Sequence, residues 1–197
     1  MIVPTYSQLE ALAKKKGYKW FTKPFDLNVW GIRNPASTNL FDDTLAVAFK
    51  DQGGNERVFL CPITTDPGRH YLQNPINHKG CAILAPGQYL GSHRIGRHQG
   101  KYKALVQVKP VIVYRDYNRD GVMNFDRVLE DTGLFGINIH RASETNISPA
   151  VDKWSAGCQV VQNPIDFLYL LSLVDQQQKY IGSDVVSYTL IVESDLA

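Results

Sequence analysis

Short β-type segments separated by turns fill the chain between residues 27 and 113, and this pattern restricts the fold more than any other feature of the sequence. Turn signals such as Gln-Gly-Gly-Asn at 52–55 and Asp-Pro-Gly at 66–68 divide the segments. The connections are too short for the helical crossovers that join parallel neighbours. We therefore expect a mainly β (α+β) fold, with a mixed or antiparallel sheet shaped as a sandwich or barrel and one packed C-terminal helix. The predicted strands are Leu27–Ile32, Leu45–Phe49, Arg57–Ile63, Cys81–Leu84, Gln88–Ser92, Ala104–Val108 and Val111–Tyr114.

The C-terminal helix is predicted to begin where Asn163 can act as N-cap and Pro164 can take the first helical position. It extends to about Lys179, and a last strand is expected over Val185–Val192. Helical spacing predicts an apolar face made of Ile165, Leu168, Leu171 and Val174.

A shorter helix is predicted near the N-terminus. Ser7 and Glu10 have the spacing of a capping box, and Gly17 is a suitable C-cap. The lysines at 14–16 fall in the last turn, where positive charge complements the helix dipole, so they do not predict a binding patch. We expect residues 1–25 to form a helical appendage and residues 26–197 to form the main domain.

The composition is typical of a globular protein with one main domain. Of the 197 residues, 44% are apolar and 20% are charged, and the formal net charge of +2 is too small to predict binding to nucleic acid. No apolar stretch is long enough to predict interaction with a membrane. The three cysteines do not indicate a disulfide framework, and Cys61 and Cys81 lie in apolar segments where inert buried thiols are expected.

One histidine and one cysteine form the strongest candidate for a functional site. His140 closes the apolar run Leu134–Ile139, which predicts a buried strand, and Cys158 follows 18 residues later in Ser-Ala-Gly-Cys, before a helix start. A cysteine nucleophile needs a base to form its thiolate and backbone donors to hold the oxyanion. The preceding glycine lets the backbone approach a substrate carbonyl. Each residue alone is also explained as a structural one, whereas the combination favours catalysis.

The segments around His140 and Cys158 resemble the motif of L,D-transpeptidase (YkuD-type) catalytic domains, in which His-Gly is followed by Ser/Thr-His-Gly-Cys-x-Arg/Asn. Upstream, Pro-Ile-Thr-Thr at 62–65 and Ala-Pro-Gly-Gln-Tyr at 85–89 resemble two further segments of that family. In element order the resemblance covers roughly residues 43–192, and it implies the β-rich fold of the family with one packed helix.

The resemblance implies a role for each matching residue. Cys158 would attack a peptide carbonyl to form a thioester, and His140 would take the thiol proton. The amides of Ala156, Gly157 and Cys158 would hold the oxyanion, and Ser155 would fix the loop by hydrogen bonding. The implied partner is bacterial peptidoglycan, whose stem peptides are either joined to an amine or released to water. No cofactor is required for this catalysis.

Three positions differ from the motif of the family. Arg141 stands in place of glycine, Ala156 in place of the second histidine, and Val160 in place of arginine or asparagine. These differences motivate a second hypothesis, a catalytically weak structural or binding module, such as a phage virion component, that keeps the fold. A papain-like protease is not favoured, because there the cysteine precedes the histidine along the chain.

Two stretches hold the candidates for substrate contacts. Next to the motif, Arg141 and Gln159 are available to replace the missing Arg/Asn, and Trp154 either stacks on a sugar or anchors the loop to the core. The polar run from 92 to 102 is either a lid or groove wall that meets glycan or a stem-peptide carboxylate, or an exposed hairpin connection. Zinc is not expected, because no helical histidine pair or cysteine cluster completes a site. The residues predicted to contact substrate are Arg97, His98, Tyr102, Arg141, Trp154 and Gln159.

The run from Asp116 to Asn124 matches the first part of a calcium-binding loop, with oxygen ligands at positions 1, 3, 5 and 9 and glycine at position 6. Position 12 is Arg127 where a glutamate is usual, although Asp126 or Glu130 could serve. The alternative is an Asx-rich turn that bonds its own backbone. A bound calcium would be structural, because the loop leads towards His140. The predicted ligands are Asp116, Asn118, Asp120, Val122 and Asn124.

No secretion signal is evident in the opening residues Met-Ile-Val-Pro-Thr, whereas peptidoglycan lies outside the cytoplasm. Either the chain is a mature form, or the protein is carried out by other means, and the Met1 start favours the second explanation. We therefore expect a protein made in the cytoplasm that reaches the wall after release or delivery, in association with a phage virion or a secretion machinery. Such a route favours hydrolysis of stem peptides over their cross-linking.

Overall fold

A computed structural model describes residues 2–35, 38–125 and 129–196 of this chain. Asp126 and Arg127, which the sequence places near the twelfth position of the calcium-type loop, lie outside the described residues. The helices are α1 (Tyr6–Lys16), α2 (Arg69–Gln73) and α3 (Pro164–Ile181), followed near the end by a 3-10 turn (Glu193–Leu196). The strands are β1 (Asn28–Arg33), β2 (Asp43–Lys50), β3 (Glu56–Thr64), β4 (Cys81–Leu84), β5 (Gly87–His98), β6 (Tyr102–Gln107), β7 (Val111–Asp116), β8 (Glu130–Gly133), β9 (Ile139–Arg141), β10 (Gln159–Val161) and β11 (Val186–Val192).

Eight strands close into a barrel in the order β1-β11-β5-β6-β9-β10-β3-β2, and β4, β7 and β8 form a smaller sheet. The pairs β1–β11 and β9–β10 are parallel, while the other pairs are antiparallel. The prediction of a mainly β, mixed and barrel-like sheet with a packed C-terminal helix is therefore confirmed. Within the described ranges, no helix combines the length and apolar character needed to cross a lipid bilayer.

The barrel wall is buried on both faces along β1 and β2. Residues of one face, including Val29 and Val47, join the barrel core, to which α3 contributes Phe167. Residues of the other face, including Trp30, lie beneath the apolar side of α1, where Leu9 is fully buried. Because both faces are covered, these strands are almost continuously buried rather than alternating between apolar and polar residues.

The N-terminal helix begins two residues earlier than its predicted capping box. Thr5 is the N-cap, and its side chain accepts from the backbone of Gln8 while the Gln8 side chain accepts from the Thr5 backbone. The prediction of Ser7 and Glu10 as the capping box is therefore wrong, because Thr5 and Gln8 satisfy the same spacing rule. Gly17 is the C-cap in the left-handed conformation, as expected.

The C-terminal helix has the expected start but a different buried face. Asn163 caps it and Pro164 occupies its first turn. The predicted face is confirmed at Leu171 and Val174 and wrong at Ile165 and Leu168, whose side chains are 71% and 63% exposed. The buried set also has helical spacing, and contact with the barrel selects it over the predicted one. Its members are Pro164, Phe167, Leu170, Leu171, Leu173, Val174 and Gln177.

The chain before His140 is not the strand that its apolar residues predict. Gly136 has a φ of 72°, which interrupts the extended run. The side-chain oxygen of Gln107 accepts from the backbone amides of Phe135 and Ile137, at 3.1 Å and 2.9 Å. The Gln107 side chain thus takes the place of the backbone hydrogen bonds that a neighbouring strand would make. In this segment only Ile139–Arg141 pairs as a strand, with His140 at its centre.

A buried ion pair joins the end of β1 to the turn after β3. Arg33 Nε lies 2.8 Å from Asp66 Oδ1, and both side chains are almost inaccessible to solvent. The guanidinium also donates to the carbonyls of Thr65 and Leu84, which adds the end of β4 to the cluster. Burial, together with the charge of Asp66, raises the pKa of Asp43 to about 7. Burial also raises the pKa of Asp66, and the adjacent Arg33 guanidinium opposes that shift.

We expect Arg33→Met to destabilise the fold by about 3–5 kcal/mol, because the Asp66 carboxylate would stay buried without its cation. Urea unfolding followed by tryptophan fluorescence measures the change. Lys103→Met is the matched control, since the ion pair of Lys103 with Asp175 is exposed and should contribute about 0–1 kcal/mol. Equal unfolding midpoints for the two variants would contradict the role given to the buried pair.

Candidate functional site

The parallel pairing of β9 with β10 places the predicted histidine and cysteine side by side. Val160 is the register partner of His140, and Cys158 stands two residues before Val160, on the same face of the sheet. The Cys158 sulfur and a ring nitrogen of His140 lie within 4.8 Å of each other. The structure therefore brings together the two residues to which the sequence assigns catalysis.

Hydrogen bonds define which nitrogen of His140 is basic. Nδ1 lies 2.8 Å from the carbonyl oxygen of Arg141 and 3.0 Å from the hydroxyl of Tyr102. A carbonyl only accepts, so Nδ1 carries the proton and Nε2 carries the lone pair. Nε2 is buried and has no hydrogen-bond partner in the described part of the chain. This lone pair is therefore free to accept a proton.

His98 packs directly on the imidazole of His140. The two rings stack with centroids 4.0 Å apart and an angle of 23° between their planes. The side-chain amide of Asn138 lies 3.0 Å from His98 Nδ1 and orients this second ring. Burial lowers the pKa of His140 to about 3, and the neighbouring His98 adds to the effect. His140 is therefore neutral near pH 7.

The thiol of Cys158 is also neutral in this arrangement. Its sulfur donates to the carbonyl oxygen of Gly136 at 3.2 Å. Burial raises the pKa of Cys158 to about 11, and a backbone hydrogen bond from Asn138 opposes that shift only in part. An activated cysteine nucleophile usually has a depressed pKa, and the surroundings of Cys158 do not lower its pKa in this way. Burial raises the pKa of Cys81 to about 12 and that of Cys61 further still, so Cys158 has the lowest of the three values.

One atom each of His98, His140 and Cys158 could act as a metal ligand, since all three lie within 4.8 Å of one another. The two imidazole planes, however, are nearly parallel. Tetrahedral zinc requires the lone pairs of its ligands to converge on one point. The lone pairs of these two rings lie in nearly parallel planes and therefore do not converge. The geometry fits a cysteine–histidine pair with a supporting ring better than a zinc site.

Ser155 holds the loop that carries Cys158, the role that the resemblance implies for it. Its hydroxyl donates to the carbonyl of Cys158 at 2.8 Å and accepts from the amide of Gly157 at 3.1 Å. Since the Gly157 amide is used in this way, the amides of Ala156 and Cys158 are the ones left to bind an oxyanion. Gly157 has a φ of 128°, and an added Cβ would stand 2.4 Å from the carbonyl oxygen of Ala82. Only glycine fits this close approach.

Arg141, Tyr102 and His98 border the cysteine–histidine pair. The guanidinium of Arg141 lies 4.2 Å from the centroid of the Tyr102 ring and forms an ion pair of 3.2 Å with the exposed Glu144. Trp154 is 44% exposed, and its backbone amide bonds to Val151. Three of the predicted substrate contacts therefore surround His140, and Trp154 lies on the surface of the loop of residues 154–158, the predicted nucleophile loop.

Gln159 and Arg97 are placed differently from these residues. Gln159 is fully buried inside the barrel, where its side-chain oxygen accepts from the Tyr188 hydroxyl at 2.8 Å. Its side chain is therefore not available to a substrate. Arg97 is exposed, and its guanidinium donates to the carbonyls of Gly100 and Lys101 in the β5–β6 turn. The polar run from 92 to 102 thus forms a hairpin within the barrel wall rather than a separate lid.

Asn138 is a site residue that the sequence analysis did not single out. Its side chain bonds to His98 and to the backbone of Gln107, while its own backbone bonds to the Cys158 sulfur. The sequence does contain a signal for this role, because Asn138 is a polar residue inside the otherwise apolar run Leu134–Ile139. Such a residue must either face solvent or satisfy its polar groups within the structure.

The five predicted calcium ligands lie together in the turn that follows β7. The amide of Asn118 donates to Asp120 Oδ2 at 2.9 Å, and the backbone of Val122 donates to Asp120 Oδ1 at 2.8 Å. Asn124 bonds to Asp116 Oδ2 through its backbone. These contacts are the Asx-type bonds of the alternative interpretation, and they gather the oxygen atoms of the turn.

Comparison of the chain with protein-family models, with curated proteins and with solved structures found no match. The resemblance to L,D-transpeptidases therefore depends on the motif residues quoted above. Because one fold can carry many activities, the geometry around Cys158 bears on function more directly than the fold does.

We expect the rate of Cys158 alkylation by iodoacetamide to rise about tenfold per pH unit from pH 7 to pH 9, because only the thiolate reacts and its pKa is about 11. Mass spectrometry of the modified peptide measures the rate, and the Cys158→Ala variant measures the background from Cys61 and Cys81. A rate that is already constant between pH 5 and pH 7 would instead show a stable thiolate–imidazolium pair.

Proposed function

We propose that this protein is a cysteine-dependent hydrolase or transpeptidase that acts on the stem peptides of bacterial peptidoglycan through a thioester on Cys158. The observation that carries the proposal is the buried, unpartnered Nε2 of His140, on a ring that has a nitrogen within 4.8 Å of the Cys158 sulfur. An unsatisfied buried acceptor costs free energy, so a protein keeps one where it has a use. Accepting the proton of the adjacent thiol is such a use.

The proposed reaction follows from the neutral state of both groups. As the Cys158 sulfur attacks a peptide carbonyl, His140 Nε2 takes the thiol proton and the carbonyl oxygen becomes an oxyanion. The amides of Ala156 and Cys158 bind this charge. Collapse of the intermediate breaks the C–N bond, and His140 returns the proton to the leaving amine. Water or an acceptor amine then loses a proton to His140, attacks the thioester and releases Cys158 as a thiol.

The Tyr102 and Arg141 side chains support a peptide substrate with a free carboxylate. Arg141 is held in place by stacking on Tyr102, while its ionic partner Glu144 is 78% exposed and therefore easily displaced. A substrate carboxylate could replace Glu144 in a bidentate contact. The exposed ring of Trp154 offers a surface on which a sugar can stack. The resemblance to L,D-transpeptidases supports the same class of substrate.

A catalytically weak binding module is the second candidate function, and two observations favour it. The raised pKa of Cys158 makes the thiolate rare. Val160, which replaces a polar residue of the family motif, is fully buried and packs with Ala142 and Cys158. A protein with these features could bind peptidoglycan with little turnover.

Digestion of purified sacculi distinguishes the two functions. We expect wild type to release muropeptide fragments that mass spectrometry identifies, and Cys158→Ala to release none, because the acylated atom is lost. His140→Ala should reduce the rate by about 10²–10⁴, the usual contribution of a general base. His78→Ala is the matched control, since His78 is exposed, and it should behave as wild type.

The products also separate hydrolysis from transfer. Free stem fragments indicate attack by water, whereas cross-linked dimers formed from added stem peptides indicate attack by an amine. Substantial turnover by a folded Cys158→Ala protein would refute the proposal. Specific sedimentation with sacculi without any product, in wild type and Cys158→Ala alike, would establish the binding module.

A further inference from the structure

A buried carboxylate oxygen without a partner lies at the end of β7. Asp116 is 1% exposed, and its Oδ1 forms no hydrogen bond within the described ranges. The other oxygen, Oδ2, accepts from the backbone and side-chain amides of Asn124, at 3.1 Å and 3.4 Å. Burial of an unpaired acceptor on a charged group is costly, so Oδ1 marks a position where a donor or a cation would stabilise the fold.

The surroundings of Asp116 are rich in oxygen atoms and negatively charged. Asp116, Asn118 and Asn124 line a small cavity of about 90 Å³. Burial raises the pKa of Asp116, and the charge of Asp120 raises it further. The adjacent Arg115 does not compensate this charge, because its guanidinium is paired with Asp131 at 3.1 Å. The cavity is therefore suited to a hard cation with a preference for oxygen.

The amide of Asn124 already occupies a position that a cation would take over. Its Nδ2 lies between two acceptors, the carboxylate of Asp116 and the carbonyl of Val122, which it contacts at 3.4 Å and 3.0 Å. A weak N–H donor thus holds together two oxygens that otherwise repel each other. A cation would do the same more strongly, and rotation of the amide would present the Asn124 side-chain oxygen as a further ligand.

We propose that this turn binds one calcium ion through the carboxylate of Asp116 and the side-chain oxygens of Asn118, Asp120 and Asn124, together with the carbonyl of Val122. Carboxylate, amide and carbonyl oxygens at alternate positions of one turn are the ligand set that calcium prefers. Gly121 has a φ of +81° and packs against Gln73 of α2, so the turn has a defined position on the protein.

The proposed ion would brace the loop that carries Cys158. Asp116 pairs in the sheet with Cys81 of β4, and the Cys81 thiol lies 3.7 Å from the carbonyl of Ala156. Ala82, the next residue of β4, makes the close contact with Gly157. Two neighbouring strands thus connect the turn to the nucleophile loop. Calcium binding does not depend on the proposed function, whereas its effect on turnover does.

Thermal unfolding of the full chain tests the proposal. Calcium at one hundred times its dissociation constant should raise the unfolding midpoint of wild type by about 5–10 °C relative to EDTA. Magnesium at the same concentration should have a much smaller effect, because it requires a tighter octahedral site. Terbium should bind at the same position and give luminescence sensitised by Tyr117, and calcium should quench it by displacement.

Asp120→Asn is the diagnostic variant, because Asp120 is exposed and its replacement should leave the fold intact. The calcium-dependent shift and the terbium signal should both be lost. Asp175→Asn removes an exposed carboxylate from the surface of α3 and should retain both. No shift of the wild-type midpoint with calcium at 10 mM, or an equal shift in Asp120→Asn, would overturn the proposal. These readouts are independent of sacculus digestion, so failure of the calcium site and failure of the proposed function are distinguishable.

Discussion

Three residues of β9 pair in parallel with three residues of β10, and the candidate site depends on this short contact. One face of the pair carries His140 and Cys158, and the other face points into the barrel. There Gln159 bonds to Tyr188 and reaches the carbonyl of Thr65, which also accepts from the guanidinium of Arg33. The register of a three-residue strand pair is thus held by polar contacts that extend to the buried ion pair on β1.

Burial has opposite consequences for His140 and Cys158. It keeps His140 neutral, so that Nε2 can act as a base, and it also keeps Cys158 protonated. A proton transfer before substrate arrives is therefore unfavourable. In the proposed mechanism the proton moves while the C–S bond forms, when the negative charge passes to an oxygen that backbone amides can bind. In this proposal the site stabilises the charge of the intermediate rather than a resting thiolate.

Local patterns predicted most of the elements, whereas the positions of several side chains required the tertiary structure. Asn163 and Gly17 were correctly predicted as caps because capping is a local interaction. Gln159 was misplaced among the substrate contacts, although strand alternation places it opposite to Cys158. The face of α3 and the irregular chain before His140 were predicted incorrectly, because the barrel and the side chain of Gln107 decide them. Neither the packing of α3 on the barrel nor the hydrogen bonds of Gln107 can be recognised from the periodicity of the sequence.

The nucleophile loop is supported from two sides, and each support includes a buried carboxylate. On one side the amide of Gly68 donates to the carbonyl of Ser155 at 2.9 Å, next to the turn where Asp66 is neutralised by Arg33. On the other side β4 contacts Gly157 and pairs with the strand that ends in Asp116. Asp66 has its counter-charge within the chain, and Asp116 has none among its hydrogen-bond partners. The proposed calcium ion would supply this missing counter-charge at the second support.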